Sequence, residues 1–299
     1  MRRRLGMLVV QAAVVATLAG CGGHHAAPTP DPIPAASRAP AYDGTLPPAQ
    51  AAMALVPAAA TTLTVTDYDE VRLELGMTQV RGGSSQTAEF WSRTPRLAVL
   101  SAGLLRHVDA QLQAGYGFSQ ADVVWEADFH GADVDGWVLR LRNGIDMASV
   151  QRAVRAGVGP LKGARVDAAH HLVSRHAAVP GQENWAAQPG LAELVGDRSL
   201  ATYVQRGCLE GDTRGQRLAP LDAYAVEFGG TLATVRLGAD RDDLFARMRL
   251  GTSLPEFARV FRRGVADPSS GRIGFEMNGP AAAADLTLRH RLPFAVCAD

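Results

Sequence analysis

Glu126, Asp128 and His130 alternate along the run Val123-Val124-Trp125-Glu126-Ala127-Asp128-Phe129-His130, the stretch of this 299-residue chain best placed to do chemistry. On an extended strand, residues two apart share a face, so two carboxylates and an imidazole would line one side and could trade protons as a hydrolase does. Asp122 before the run, with Asp133 and Asp135 in the turn after it, could extend the group to a calcium or acid–base site, the alternative being a solvated edge of charges.

Other constellations are thinner. His170, His171 and His176 fall within seven residues, but strand alternation sends the first two to opposite faces, and no acid or thiol nearby completes a ligand set, so they read as surface or half-buried side chains. His24-His25 lacks a ligand set as well. Asp240-Arg241-Asp242-Asp243 is acidic enough for a cation, yet aspartates in a first helical turn complement the helix dipole without one. The chain has no H-E-x-x-H, no P-loop, no G-x-G-x-x-G and no C-x-x-C, and Gly251-Thr252-Ser253-Leu254-Pro255 fails as a nucleophile elbow at its last position. No catalytic, cofactor-binding or metal-binding residue is therefore assigned.

The elements that would position these groups read as follows. Thr62 to Thr66 is a strand, and Asp67 and Glu70 have the spacing of a capping box for a short helix ending at Gly76. Leu97, Leu100, Leu104, Leu105, Val108 and Leu112 predict a helix from about Pro95 to Gln113. Val123–Phe129 and Trp137–Arg142 form a hairpin, with Trp125 and Trp137 on paired strands, and a helix runs from Asp146 to Gly157. The order recurs a hundred residues later as Ala223–Phe228, Thr231–Leu237 and a helix from Asp240 to Gly251. Aligned on Asp146 and Asp240, both helices carry apolar residues four and eight on and glycine eleven on. That pattern is either a structural duplication, with units of about 61–210 and 211–299, or the chance recurrence of a common unit.

Further strands follow each helix, among them 272–277 and a last one at Pro293–Cys297. Pro280–Leu288 has both helical and strand character and is assigned to helix. The fold class is α+β, antiparallel sheets with helices on one face.

Upstream, Arg2, Arg3 and Arg4 precede an apolar run from Leu5 to Gly20, the order of an export signal. The tetrapeptide Leu18-Ala19-Gly20-Cys21 resembles the lipobox of bacterial lipoproteins. The resemblance covers about the first twenty-three residues. It implies cleavage after Gly20, a diacylglyceryl group on Cys21, and a chain held at the outer face of the cell membrane by two acyl chains. Residues 21–60 carry seven prolines between Pro28 and Pro48 and few large apolar side chains, which predicts a disordered spacer before an exported domain at 61–299.

An exported protein that uses Cys21 for lipid has two cysteines left, Cys208 and Cys297. Compartment and parity favour a disulfide between them, with two free thiols as the alternative. Neither flanking segment offers a histidine that could activate a thiol.

Lysine plus arginine and aspartate plus glutamate each number 30. Losing the three signal arginines leaves 27 against 30, so no basic excess points to nucleic acid. Lys162 is the only lysine, and the arginine- and alanine-rich composition resembles that of actinobacterial lipoproteins with no assigned activity. The sequence thus predicts a membrane-anchored extracytoplasmic lipoprotein with a non-catalytic binding or scaffolding domain and no cofactor. The second reading is a surface hydrolase built on Glu126, Asp128 and His130.

Overall fold

Ten antiparallel strands make one continuous sheet in the computed structural model, which describes residues 39–297. The first part of the chain supplies α1 (Pro48–Met53), β1 (Thr62–Asp67), α2 (Tyr68–Glu74), α3 (Thr87–Arg93), α4 (Asp109–Tyr116), β2 (Val123–His130), β3 (Asp135–Leu141), α5 (Met147–Arg155), β4 (Arg165–Asp167) and β5 (Leu172–Arg175). The remainder supplies α6 (Pro189–Ala192), β6 (Ala201–Arg206), β7 (Ala223–Phe228), β8 (Leu232–Arg236), α7 (Leu244–Thr252), α8 (Pro255–Val260), β9 (Phe261–Asp267), β10 (Arg272–Met277) and α9 (Pro280–Leu288). Among the described residues no helix is long and apolar enough to cross a membrane. The signal segment, Cys21, His24-His25 and the start of the spacer lie outside the described residues.

Helices cover both faces of the sheet, not one as the sequence predicts. Along β3, Trp137, Leu139 and Leu141 pack with the α2–α5 layer, whereas Val138 joins Ala52 and Met53 of α1 and Leu191 of α6 on the other side. Along β7, Tyr224, Val226 and Phe228 meet the α7–α9 layer, while Ala223 and Ala225 face the α1 and α6 side. Period-two alternation makes these opposite faces. Trp125 and Trp137 are separated in the same way: Trp125 pairs with Arg140 and Trp137 with Asp128, so the two indoles point to opposite sides of the hairpin.

Three further expectations change. The spacer does not extend to residue 60, because Ala49, Ala52, Met53, Val56 and Ala60 are buried and Tyr42 sits against Trp125 with ring centroids 6.5 Å apart. The helix predicted over 95–113 is broken into a 3₁₀ turn at Thr94–Arg96, an irregular stretch, a second turn at Arg106–Val108 and α4. Its amides are taken by side chains: Leu100 N–H donates to Thr66 Oγ1, Leu104 N–H to Glu126 Oε2 and Leu105 N–H to Gln120 Oε1. Donors held this way are not available to i−4 carbonyls, and tertiary contacts override the helical spacing of the leucines. The last strand is instead a 3₁₀ turn at Pro293–Ala295 ending in a single parallel bridge, Leu209 with Val296.

The sheet order is β4-β5-β3-β2-β1-β6-β7-β8-β10-β9, so β6 to β10 stand in the same relative order as β1 to β5, reading outward from the central β1–β6 pair. Registers agree: the pair Ala127 and Val138 becomes, 98 residues on, the pair Ala225 and Arg236. The β4–β5 turn recurs 100 residues on. Asp167 Oδ1 accepts the Ala169 N–H there and Asp267 Oδ1 accepts the Ser269 N–H, both at 3.1 Å. α1 and α6 each begin with proline and each end nine residues before the next strand. The second set of five strands begins with β6 at Ala201. The helix caps shift, because Asp146 caps α5 but Asp243, not Asp240, precedes α7.

Candidate functional site

Glu126 and Asp128 do share a face of β2, as alternation requires, but their surroundings differ. Glu126 is fully buried and accepts hydrogen bonds from Ser101 Oγ, Leu104 N–H at 3.0 Å and Gln120 Nε2 at 2.9 Å. Burial raises its carboxyl above the ordinary range, against those three bonds. Two of these bonds, from Ser101 and Leu104, fasten the broken stretch over residues 100–105 to the sheet. Asp128 is half-buried, and its carboxyl is pushed up to about 8 by burial first, then by the neighbouring Glu126 and Asp135 carboxylates. His130 is exposed at the end of β2, where its Nδ1 meets Asp135 at 2.7 Å. The structure therefore does not assemble Glu126, Asp128 and His130 around one reacting centre.

Asp122 and Asp243 are held in structural contacts. Asp122 closes a capping box with Ser119 and accepts the Gly82 N–H at 3.0 Å. Asp243 lies between two guanidiniums, Arg241 at 2.9 Å and the fully buried Arg247 at 2.8 Å. Arg247 also donates to the carbonyls of Phe294, Val296 and Ala219, at 2.7, 2.8 and 2.5 Å. His170 pairs with Asp167, and His176 meets the Asp135 carbonyl. Among the described residues no group of three or more His, Cys, Asp or Glu side chains is placed to hold a metal ion. Cys208 and Cys297 are joined as a disulfide with 5.6 Å between their Cα atoms, fixing the C-terminal segment beside the β6–β7 connection.

The larger concavity lies elsewhere, on the α1 and α6 side of the sheet. A cleft of about 650 Å³ opens between the segment around α6 and the face of β6, β7, β8 and β10. That is a size suited to a small-molecule ligand. Leu191, Leu194, Leu237, Pro220 and Ala223 give it apolar walls, and Arg206, Arg236, Arg241 and Arg272 put four guanidiniums on its lining. Arg236 is tied to Glu227 through Nε at 2.8 Å, and Arg241 to Asp243. Arg206 and Arg272 enter no ion pair among the described residues; Arg206 donates only to the Ala58 carbonyl. Glu193 and Asp222 also line the cleft, neither within ion-pair distance of these arginines.

Arg236 and Arg272 stand directly opposite each other on paired strands, on one face. Like charges so placed are destabilising, and Glu227 engages only the first.

These arginines were not singled out from the sequence. A signal existed: Arg206, Arg236 and Arg272 each lie at an end of their strand, and Arg236 and Arg272 alternate out of phase with the core residues Val235 and Ile273. What the sequence did not disclose was the pairing that brings three strands' arginines to one place. Comparison with protein-family models, with curated proteins and with solved structures gave no match.

Proposed function

We propose that the chain is a membrane-anchored extracytoplasmic lipoprotein whose folded body is a duplicated, non-catalytic binding module, with the arginine-lined cleft as its binding site. The duplication is supported by the shared strand order of the two halves, by their paired registers and by the matching Asp167 and Asp267 turns. The cleft is the observation that carries the binding reading, because it joins apolar walls to two guanidiniums, Arg206 and Arg272, that have no carboxylate partner among the described residues. The anchor reading rests on Leu18-Ala19-Gly20-Cys21.

The catalytic alternative is the weaker one, since Glu126 is committed on both oxygens to Ser101, Leu104 and Gln120. The test is mass spectrometry of the intact protein extracted from native membranes. The expected result is a diacylglyceryl-modified Cys21 at the mature N-terminus and a small molecule retained by the native chain and lost from an Ala223→Trp variant. An unmodified Cys21 overturns the anchor. Ligand retention that is indifferent to Ala223→Trp removes the cleft from the binding reading.

A further inference from the structure

The two halves of the sheet each carry a cavity, and the cavities correspond. A smaller one of about 300 Å³ on the first half is lined by Pro48, Val124, Trp125 and Arg140, among others. With the offsets that relate the strands, these become Ala187, Asp222, Ala223 and Gly238, all of which line the larger cleft. The site is thus one place in the repeated unit, seen twice.

The two copies have diverged in what fills them. In the first half, the Trp125 indole and the Arg140 guanidinium occupy the position. The chain's own N-terminal stretch covers it, with Tyr42 edge-on to His170 at 5.4 Å and tilted against Trp125. In the second half, Trp125 is replaced by Ala223 and Arg140 by Gly238, which removes an indole and a guanidinium and leaves room for a guest. With the offset that takes Pro48 to Ala187, Tyr42 becomes Gly181, so no ring stands at the position equivalent to Tyr42. What the second half has gained is charge, in Arg272 and Arg236, where the first has Ser174 near the end of β5 and Val138 on β3.

Building on the binding reading above, we infer that the second-half cleft seats a small amphipathic anion. Its carboxylate, phosphate or sulfonate group lies between Arg236 and Arg272, and its apolar body occupies the space that Trp125 fills in the first half. Three observations converge. The Nη atoms of Arg236 have no acceptor among the described residues, since its one hydrogen bond runs through Nε to Glu227. The Arg272 guanidinium has no acceptor there either, and it directly faces Arg236 across the β8–β10 pairing. An anion between them relieves the like-charge opposition and satisfies donors that line the same cleft. Leu191, Leu194 and Leu237 supply apolar surface for the remainder of the guest.

The test uses the full chain in lipid nanodiscs, with empty nanodiscs as the control. Titration calorimetry follows 1-naphthoate as the anionic probe and 1-naphthamide as its neutral isostere. Naphthoate is expected to bind once per chain, at least tenfold more tightly than the amide. Arg272→Ala should weaken naphthoate about tenfold and leave the amide unchanged. Arg272→Glu should abolish naphthoate binding while raising the melting temperature, because it pairs with Arg236; a purely structural arginine would not separate the two readouts. Ala223→Trp should exclude both probes.

Equal affinity for the two probes, or naphthoate binding indifferent to Arg272→Glu, overturns the anion inference. If Ala223→Trp still excludes both in that case, the binding reading survives. Absence of naphthoate binding, or binding of both probes unaffected by Ala223→Trp, overturns the inference and counts against the binding reading as well.

Discussion

Arg247→Met probes the interior contact on which the C-terminal segment depends. The Arg247 side chain is wholly buried and makes four hydrogen bonds, one to Asp243 and three to the carbonyls of Phe294, Val296 and Ala219. Methionine restores part of the volume and none of the donors. Asp243 keeps Arg241 and the Ala219 N–H at 2.8 Å, so the carboxylate is not stranded. The three carbonyls lose charged donors, and at about 1–3 kcal/mol for each acceptor left without its donor the loss should reach about 3–5 kcal/mol. Urea unfolding with the disulfide intact is the assay. With a slope of roughly 2–3 kcal/mol per molar, the midpoint should fall by about 1–2.5 M at unchanged slope. Arg263→Met is the matched control: its pair with Glu276 is 79% and 48% exposed, and its loss should shift stability by less than about 0.5 kcal/mol. A loss below about 1 kcal/mol for Arg247→Met would show that the C-terminal segment is held by something other than this guanidinium.

Three further outcomes are expected. Asp128 titrates near 8 in the folded protein and near 4 unfolded, so the folded state holds the extra proton between those values and stability declines as pH climbs through that window. Thermal melts at pH 5 and pH 8.5 should show the decline in the native chain and a flatter profile in Asp128→Asn. Replacing Cys208 and Cys297 together by serine releases a crosslink spanning 89 residues and should lower stability by up to about 4.5 kcal/mol, read as a fall in Tm relative to the oxidised chain. Gly271 has φ +64°, and a Cβ there would sit 1.5 Å from the Gly238 carbonyl oxygen, so Gly271→Ala should destabilise by at least about 2 kcal/mol in urea unfolding; a neutral result would deny the close approach of the β9–β10 turn to the cleft rim.

Much of the secondary structure was legible because its causes are local. The β2–β3 and β7–β8 hairpins follow from alternation, α2 follows from the Asp67 cap, and α9 coincides with the helix assigned at Pro280–Leu288. The disulfide coincides with the pairing expected from the parity of the two remaining cysteines and an expected export. The misreadings share one cause, partners distant in sequence. Leucine spacing over 97–112 is helical, but Thr66, Gln120 and Glu126 take the amides that a helix needs. Residues 48–60 are poor in large side chains, yet alanine and methionine suffice where a helix packs closely on a sheet. Glu126 looked reactive because sequence reveals a carboxylate's face and not its donors. The cleft was invisible for the same reason: Arg236 and Arg272 are 36 residues apart and become neighbours only through strand pairing.

The sheet does not close on itself, and its two rims are β4 and β9. A bare rim presents unclaimed amides and carbonyls on which a foreign chain can template itself, the beginning of fibril growth. β4 limits the hazard by brevity, offering three residues. β9 is seven residues long with Val265 71% exposed, but Arg262 and Arg263 place cations along it and an irregularity between Gly274 and Glu276 disturbs its ladder. Neutralising those two arginines would leave a longer, smoother margin, and the first sign of that change would be turbidity at concentrations where the native chain stays clear.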